Sequence, residues 1–166
     1  LVFAGAVSKL FLKARGIEIG AHILELAGLC DAPLDPVSVS VGELERLRGC
    51  ELPLLDVSLT PAIKDAILRA AEEGDSVGGA VEACALGVPA GLGAPFFHSV
   101  ESQVAALAFS IPAVKAVAFG DGLALAKGRG SACNDSPCYD ADGRVRTHTN
   151  RNGGLAGGIT NGMPVV

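Results

Sequence analysis

Apolar and polar positions along the chain follow two periods, and the switches between them mark the elements. Residues 1 to 14, "LVFAGAVSKLFLKA", carry apolar groups at helical spacing, broken by Lys9 and Lys13, and predict a helix that Gly16 closes. In "GIEIGAHILELAG" the period drops to two. Ile17, Ile19, Ala21 and Ile23 share one face, while Glu18, Gly20, His22 and Leu24 share the other. This predicts a strand whose His22 is a surface residue opposite the isoleucines. Residues 29–58, with Pro33, Pro36 and Pro53 among mixed charges, read as a long loop with one short helix. Thr60 then caps a clear helix, Pro61 suits its first turn and Gly74 stops it, with Ile63, Ile67, Leu68 and Ala71 as its buried stripe.

"DSVGGAVEACALGVP" predicts a second strand, in which Gly78 and Gly79 let another element come close to the backbone. "AGLGAP" is a tight turn. Ser99 opens a third helix, with Val100, Val104, Leu107, Ala108 and Ile111 at helical spacing. "AVKAVAFG" predicts a third strand, "GDGLALA" a short helical piece, and "PVV" a last strand after a glycine-rich loop. Helices alternate with strands, an order that allows α/β with a parallel sheet or α+β with helices on an antiparallel sheet. The 166 residues suffice for a single domain spanning 1–166, and no internal repeat interrupts it.

Composition narrows the classes. No apolar run reaches the roughly 18 residues of a membrane span, and the opening lacks the basic leader and cleavage site of a signal peptide. There is no initiator Met, and Leu1 lies in a helix already under way, so the chain reads as an excised piece of a longer protein. A net charge of −5 argues against nucleic-acid binding. Lys127, Arg129, Arg144, Arg146 and Arg151 cluster locally and read as a solvated loop rather than an anion patch. The five cysteines have irregular spacing and no C-x-x-C, which speaks against a disulfide framework or a metal site. Cys84 reads as a small core residue, and the compartment as reducing cytoplasm.

Common catalytic fingerprints fail in turn. "GRGSACN" and "GLGAPF" are not P-loops, and neither a dinucleotide fingerprint, a G-x-S-x-G elbow nor H-E-x-x-H is present. His22, His98 and His148 each read as structural or solvent-facing. What remains is glycine used as a surface. In "TNRNGGLAGGITNG", residues 149–162, glycine pairs at 153–154 and 157–158 strip side chains from the backbone. The freed amides suit an anion or the edge of a flat ring, and a plain flexible loop is the competing reading.

Several separated motifs resemble those of chorismate synthases, in that family's order and spacing. They are "GDSVGG" (74–79), "GVPAGLGAPFF" (87–97), "SIPAVKAVAFGDG" (110–122), "GS" and "ND" at 130–131 and 134–135, and "TNRNGGLAGGITNGMP" (149–164). The opening "AGAVSKLFL" resembles the helix after the family's serine–arginine flavin motif. The resemblance implies an α+β fold, antiparallel sheets packed with helices in a β-α-β sandwich, of which this chain is the central portion, assembled as homotetramers. It implies elimination of phosphate and a ring proton from 5-enolpyruvylshikimate 3-phosphate to give chorismate, the last shikimate-pathway step. Reduced FMN is required but not consumed, and NADPH enters only if the parent reduces its own flavin. The likeness carries Pro112, Ala113 and Gly157 to flavin contacts, with Asn161 and Lys115 as second-rank neighbours. The family's catalytic histidines, its "SSAR" segment and its "RHDP" motif have no counterpart here, so no catalytic residue is assigned and the piece alone should not turn over. Ala94, Ala116 and Ala118 also replace residues the family usually carries. A truncated, non-catalytic flavin-binding or oligomerisation module is the alternative.

Overall fold

The computed structural model describes residues 1–166, and the chain divides into two compact units. The first comprises Leu1–Glu18, Pro36–Ser38 and Ala85–Val166, and the second Ile19–Asp35 and Val39–Cys84.

The second unit holds most of a three-stranded sheet in the order β2-β1-β3, where β1 is Glu18–Leu26, β2 Leu29–Cys30 and β3 Gly79–Leu86. β1 and β2 are antiparallel, with Glu25 opposite Cys30. Ala27 N–H donates to the Gly78 carbonyl, while His22 meets Glu82 farther along, so β3 also runs against β1. Gly79 does admit a close neighbour, for a Cβ there would strike the Glu25 carbonyl. The antiparallel α+β alternative is therefore the observed one.

Two helices complete this unit. α2, Val41–Arg48, is the one short helix of the long 29–58 loop, and Ser40 caps it by accepting from Glu43 N–H. Its Leu44 and Leu47, three residues apart, are fully buried with Leu54 and Ile63. α3, Thr60–Glu72, continues from a short 3-10 turn, Val57–Leu59. Asp56 caps that turn by accepting from Ser58 N–H, so Thr60 is the first helical residue rather than the cap. Gly74 ends the helix at φ +70°. Of the expected stripe only Ile63 is buried, and Leu68 is 61% exposed, because only the amino-terminal end of α3 meets the core.

The face of β1 is inverted relative to the sequence expectation. Glu18, Gly20 and His22 are buried, and Ala21 is exposed. Gly20 leaves room for Leu44, which a Cβ would meet at 2.8 Å. His22, 1% exposed, is not a surface residue: Nε2 lies 2.8 Å from Glu82 Oε2, and Nδ1 is 3.4 Å from Asp31 Oδ2. Alternation told which residues share a face, but not that two carboxylates make the histidine face the inner one. Asp31 also accepts from the backbone amides of Ala32, Leu55 and Asp56, and Glu82 from Leu34 N–H, so the cluster ties two loop segments, 32–34 and 55–56, to the sheet.

In the first unit, α1 is Val2–Lys13, α4 Val100–Phe109 and α5 a single turn at Gly130–Cys133. Neither α1 nor α4 buries a residue, and Phe3, Leu10, Leu107 and Phe109 lie largely open. Two hairpins follow: β4 Pro137–Tyr139 with β5 Val145–Thr147, and β6 Leu155–Ala156 with β7 Ile159–Thr160. The expected strand at 113–120 does not form. Ala113 takes φ +69°, Val114 N–H turns back to the Ile111 carbonyl and Phe119 accepts from Gly122 N–H. The partners from distant chain, Val166 for Gly120 and Arg151 for Asp121, come only at the segment's end. "PVV" contributes one antiparallel bridge, Val165 to Ala85. No helix is long and apolar enough to cross a membrane.

The cluster makes stability pH-dependent in the second unit. Burial alone would lower the His22 pKa, but the Glu82 hydrogen bond and charge, helped by Asp31, hold it above 6.5. Burial likewise opposes ionisation of Asp31, yet three backbone amides and His22 hold it below 3.8. The His22 contribution is therefore complete below pH 6.5 and is lost as pH rises through its raised folded value. That of Asp31 is complete above pH 3.8 and is lost as pH falls through its lowered value. Urea melts across this range should show greatest stability between these limits. His22→Ala should cost about 3–5 kcal/mol and flatten the decline on the alkaline side. A parent protein equally stable on both sides of neutrality would refute this account.

Candidate functional site

The glycine-rich segment is an ordered hairpin. Leu155 pairs with Thr160 and Ala156 with Ile159, leaving Gly157 and Gly158 as a two-residue turn. Their φ angles, +59° and +87°, are both left-handed, as a primed turn matching the strands' twist requires. The two glycines differ in surroundings. A Cβ on Gly158 would lie 2.8 Å from Ser99 Cβ, whereas one on Gly157 would meet nothing within 4 Å. One glycine is packed and its neighbour is open.

The hairpin is held by polar clamps. Asn150, 1% exposed, accepts from Gly154 N–H at 2.6 Å and donates from Nδ2 to the carbonyls of Pro164 (2.8 Å) and Pro36 (2.9 Å). The Thr160 hydroxyl donates to the Pro89 carbonyl and accepts from Leu92 N–H, while Gly93 bridges Ile159. Val100 N–H, otherwise unpaired at the start of α4, donates to the Gly158 carbonyl at 3.1 Å. Arg151 pairs with Asp121 at 2.8 Å, and its carbonyl accepts from Asp121 N–H. The motifs at 87–97, 110–122 and 149–164 thus meet at one hairpin.

Each residue expected at the cofactor site can be placed. Gly157 is exposed at the turn, and Pro112, Ala113 and Lys115 are exposed beyond the end of α4. Gly158 touches the start of α4, whose ten residues span about 15 Å, so α4 separates the turn from Pro112 rather than bringing the two into contact. Ala113 at φ +69° is an uncommon conformation for a residue bearing a Cβ, and such strain concentrates at functional positions. Asn161 is half-buried, its Oδ1 accepting from Met163 N–H. It lines a concavity of about 550 Å³ with Asn134, Asp135, Arg146, Thr147 and Asn152, and Ala156 brings that wall up to Gly157.

Sequence reading placed Asn150, Asn152 and Asp135 within motifs but missed what they hold: Asn150 bonds backbone at residues 36, 154 and 164, and Asn152 bonds the Asp135 carboxylate. It also took the β4–β5 hairpin for loop, although "DADG" marks its turn. Asp140 accepts there from the amides of Asp142 and Arg144. The basic cluster is not a patch: Arg144 pairs with Asp142, Arg151 with Asp121, and Arg146 donates to the Val37 carbonyl. His98 and His148 are exposed. All five cysteines are unpaired, and burial, with the Glu82 charge, pushes the Cys84 thiol up to about 12.

Comparison with known proteins agrees with this architecture. A solved structure described as "Crystal Structure of Chorismate Synthase" superposes with a TM-score of 0.86 at 31% identity, covering 97% of this chain and 51% of the other. The family model "Chorismate synthase" matches residues 1–166, and the chain belongs to that family. The chorismate synthases of Pyrobaculum aerophilum and Thermococcus kodakarensis are each 42% identical to it, over 99% and 100% of its length. The chain spans 44% of the length of each of these two relatives.

The contrast between the paired glycines is open to a thermal-melting test. Gly157→Ala should cost about 1–2 kcal/mol for the left-handed backbone alone. Gly158→Ala should cost about 3 kcal/mol or more, since strain adds to overpacking against Ser99. Equal losses would mean that the turn does not sit on α4 as described.

Proposed function

We propose that this chain supplies the central part of an enzyme that removes phosphate and a ring proton from 5-enolpyruvylshikimate 3-phosphate, giving chorismate, with reduced FMN seated at the glycine hairpin. The observation that carries the reading is the Gly157 turn, an ordered backbone edge with empty space where a side chain would stand, in a chain of this family. Such an edge fits a flat ring system, which can lie against peptide atoms directly. When bound, reduced FMN supplies transient electron donation that helps the phosphate leave.

The chain's own residues have the simpler tasks of binding and orienting. Gly157 presents backbone to the ring, Pro112 and the strained Ala113 form a second exposed edge with Lys115 following it, and Asn161 offers a polar group on the wall beside the turn. Proton transfer falls to residues in the remaining length of the relatives. His22 is committed to Asp31 and Glu82, and the other two histidines are exposed side chains to which the likeness gives no role. The same reading takes the whole enzyme to be a cytoplasmic homotetramer. Five thiols without a disulfide and the bare apolar faces of α1 and α4 support it.

Anaerobic calorimetric titration is the test, with reduced and oxidised FMN run in parallel. Saturable binding that prefers the reduced form is expected, and Ala113→Asp should weaken it about tenfold or more by setting a charge against the electron-rich ring. Absence of binding by the chain and by the enzyme that contains it would overturn the flavin reading.

A further inference from the structure

Asp135 receives no role from the family likeness, yet it is the most heavily hydrogen-bonded side chain beside the hairpin. Oδ1 accepts from the Thr149 hydroxyl and from Arg151 N–H, both at 2.7 Å. Oδ2 accepts from Asn152 N–H at 2.9 Å and from Asn152 Nδ2 at 2.8 Å. All four donors lie within residues 149–152, the segment that leads into β6. Burial would raise the pKa of this carboxyl, but the Asn152 amide, the Thr149 hydroxyl, the Arg151 amide and the Asn152 side chain together hold it below 3.8. The group is therefore an anion at neutral pH, saturated with donors from one short stretch of chain.

Those bonds have a directional consequence. Asn152 lines the concavity that Ala156 and Asn161 extend toward the Gly157 turn. With its Nδ2 committed to Asp135, the acceptor Oδ1 is the end of the amide available to a ligand. Arg151, whose amide Asp135 also holds, carries the ion pair to Asp121 and so links the hairpin to the segment bearing Pro112 and Ala113.

We propose that Asp135 is a positioning residue of the cofactor site: at the edge of the concavity, with both carboxylate oxygens engaged by residues 149–152, it acts through Asn152 to fix the wall beside Gly157. The proposal rests on the flavin reading above. A merely structural carboxylate would stabilise the hairpin, but its loss would not depend on Asn152. A positioning carboxylate does depend on it, and substitutions at the two sites then fail to add.

The experiment is a double-substitution cycle in the enzyme containing this chain, read as the dissociation constant for reduced FMN under anaerobic conditions. Asp135→Asn keeps the shape but sets an NH2 group against donors that need an acceptor. It should weaken reduced FMN about tenfold, as should Asn152→Ala, and the double variant should be no weaker than either. Asp135→Glu should restore part of the affinity. Independent, additive losses would overturn the proposal, as would unchanged affinity in Asp135→Asn. If Asp135→Asn fails to fold, Asn152→Ala, which leaves the carboxylate its Thr149 and Arg151 donors, decides alone: native affinity in that variant overturns the proposal. Loss of reduced-FMN binding by the unsubstituted enzyme sinks the flavin reading and this inference together, whereas intact binding there with indifferent variants sinks only the inference.

Discussion

The first unit depends on one constraint: two consecutive residues at 157 and 158 must both adopt left-handed backbone, and one of them must also lack a side chain for steric reasons. The primed turn sets the register of β6 against β7. That register places Thr160 where its hydroxyl and backbone can engage residues 89–93, and places the Gly158 carbonyl where it receives the first amide of α4. Little apolar burial supports this. Leu155 and Met163 are the unit's only fully enclosed large apolar side chains, so position is fixed by directional bonds from Asn150, Thr160 and Asp135. Hydrogen bonds of this kind are individually modest but geometrically exacting, which suits a site that must hold a backbone edge in place.

The second unit solves its problem differently. It has an ordinary leucine core of Leu34, Leu44, Leu47 and Leu54, and into it the chain brings a histidine with two carboxylates. An imidazole between two acids is a poor source of net stability compared with an apolar residue of the same volume, because desolvation offsets attraction. Its effect is on specificity of arrangement. Asp31 and Glu82 each also hold backbone amides, so the cluster fixes two irregular segments, around Leu34 and around Leu55 and Asp56, against the sheet.

How much of this was legible in the sequence follows from the range of the interactions involved. The helix at 60–72 and its glycine stop were readable because caps and breakers act within a few residues. The motifs that meet at the hairpin were visible as motifs, though nothing local said that they touch. His22 was misplaced because alternation defines two faces without choosing between them, and the choice was made by Asp31 and Glu82, nine and sixty residues away. The strand at 113–120 was overcalled for a related reason. Its composition favours extended backbone, but a strand exists only if a neighbour offers a ladder, and here Val166 and Arg151 serve only its last residues. Asp135 and Asn150 stood inside quoted motifs, but their partners did not show, since an Asp or an Asn in a loop gives no local sign of which groups it will hold.

Cys84 has a consequence that reaches past packing. Its thiol sits on β3 beside Glu82, 1% exposed and with its pKa pushed up to about 12, while Cys30 lies open on β2 of the same unit. Alkylation needs thiolate and access, and Cys84 in the folded chain has neither. The protein therefore contains its own clock: an electrophile marks Cys30 at once, and marks Cys84 only at the pace at which the leucine core lets go.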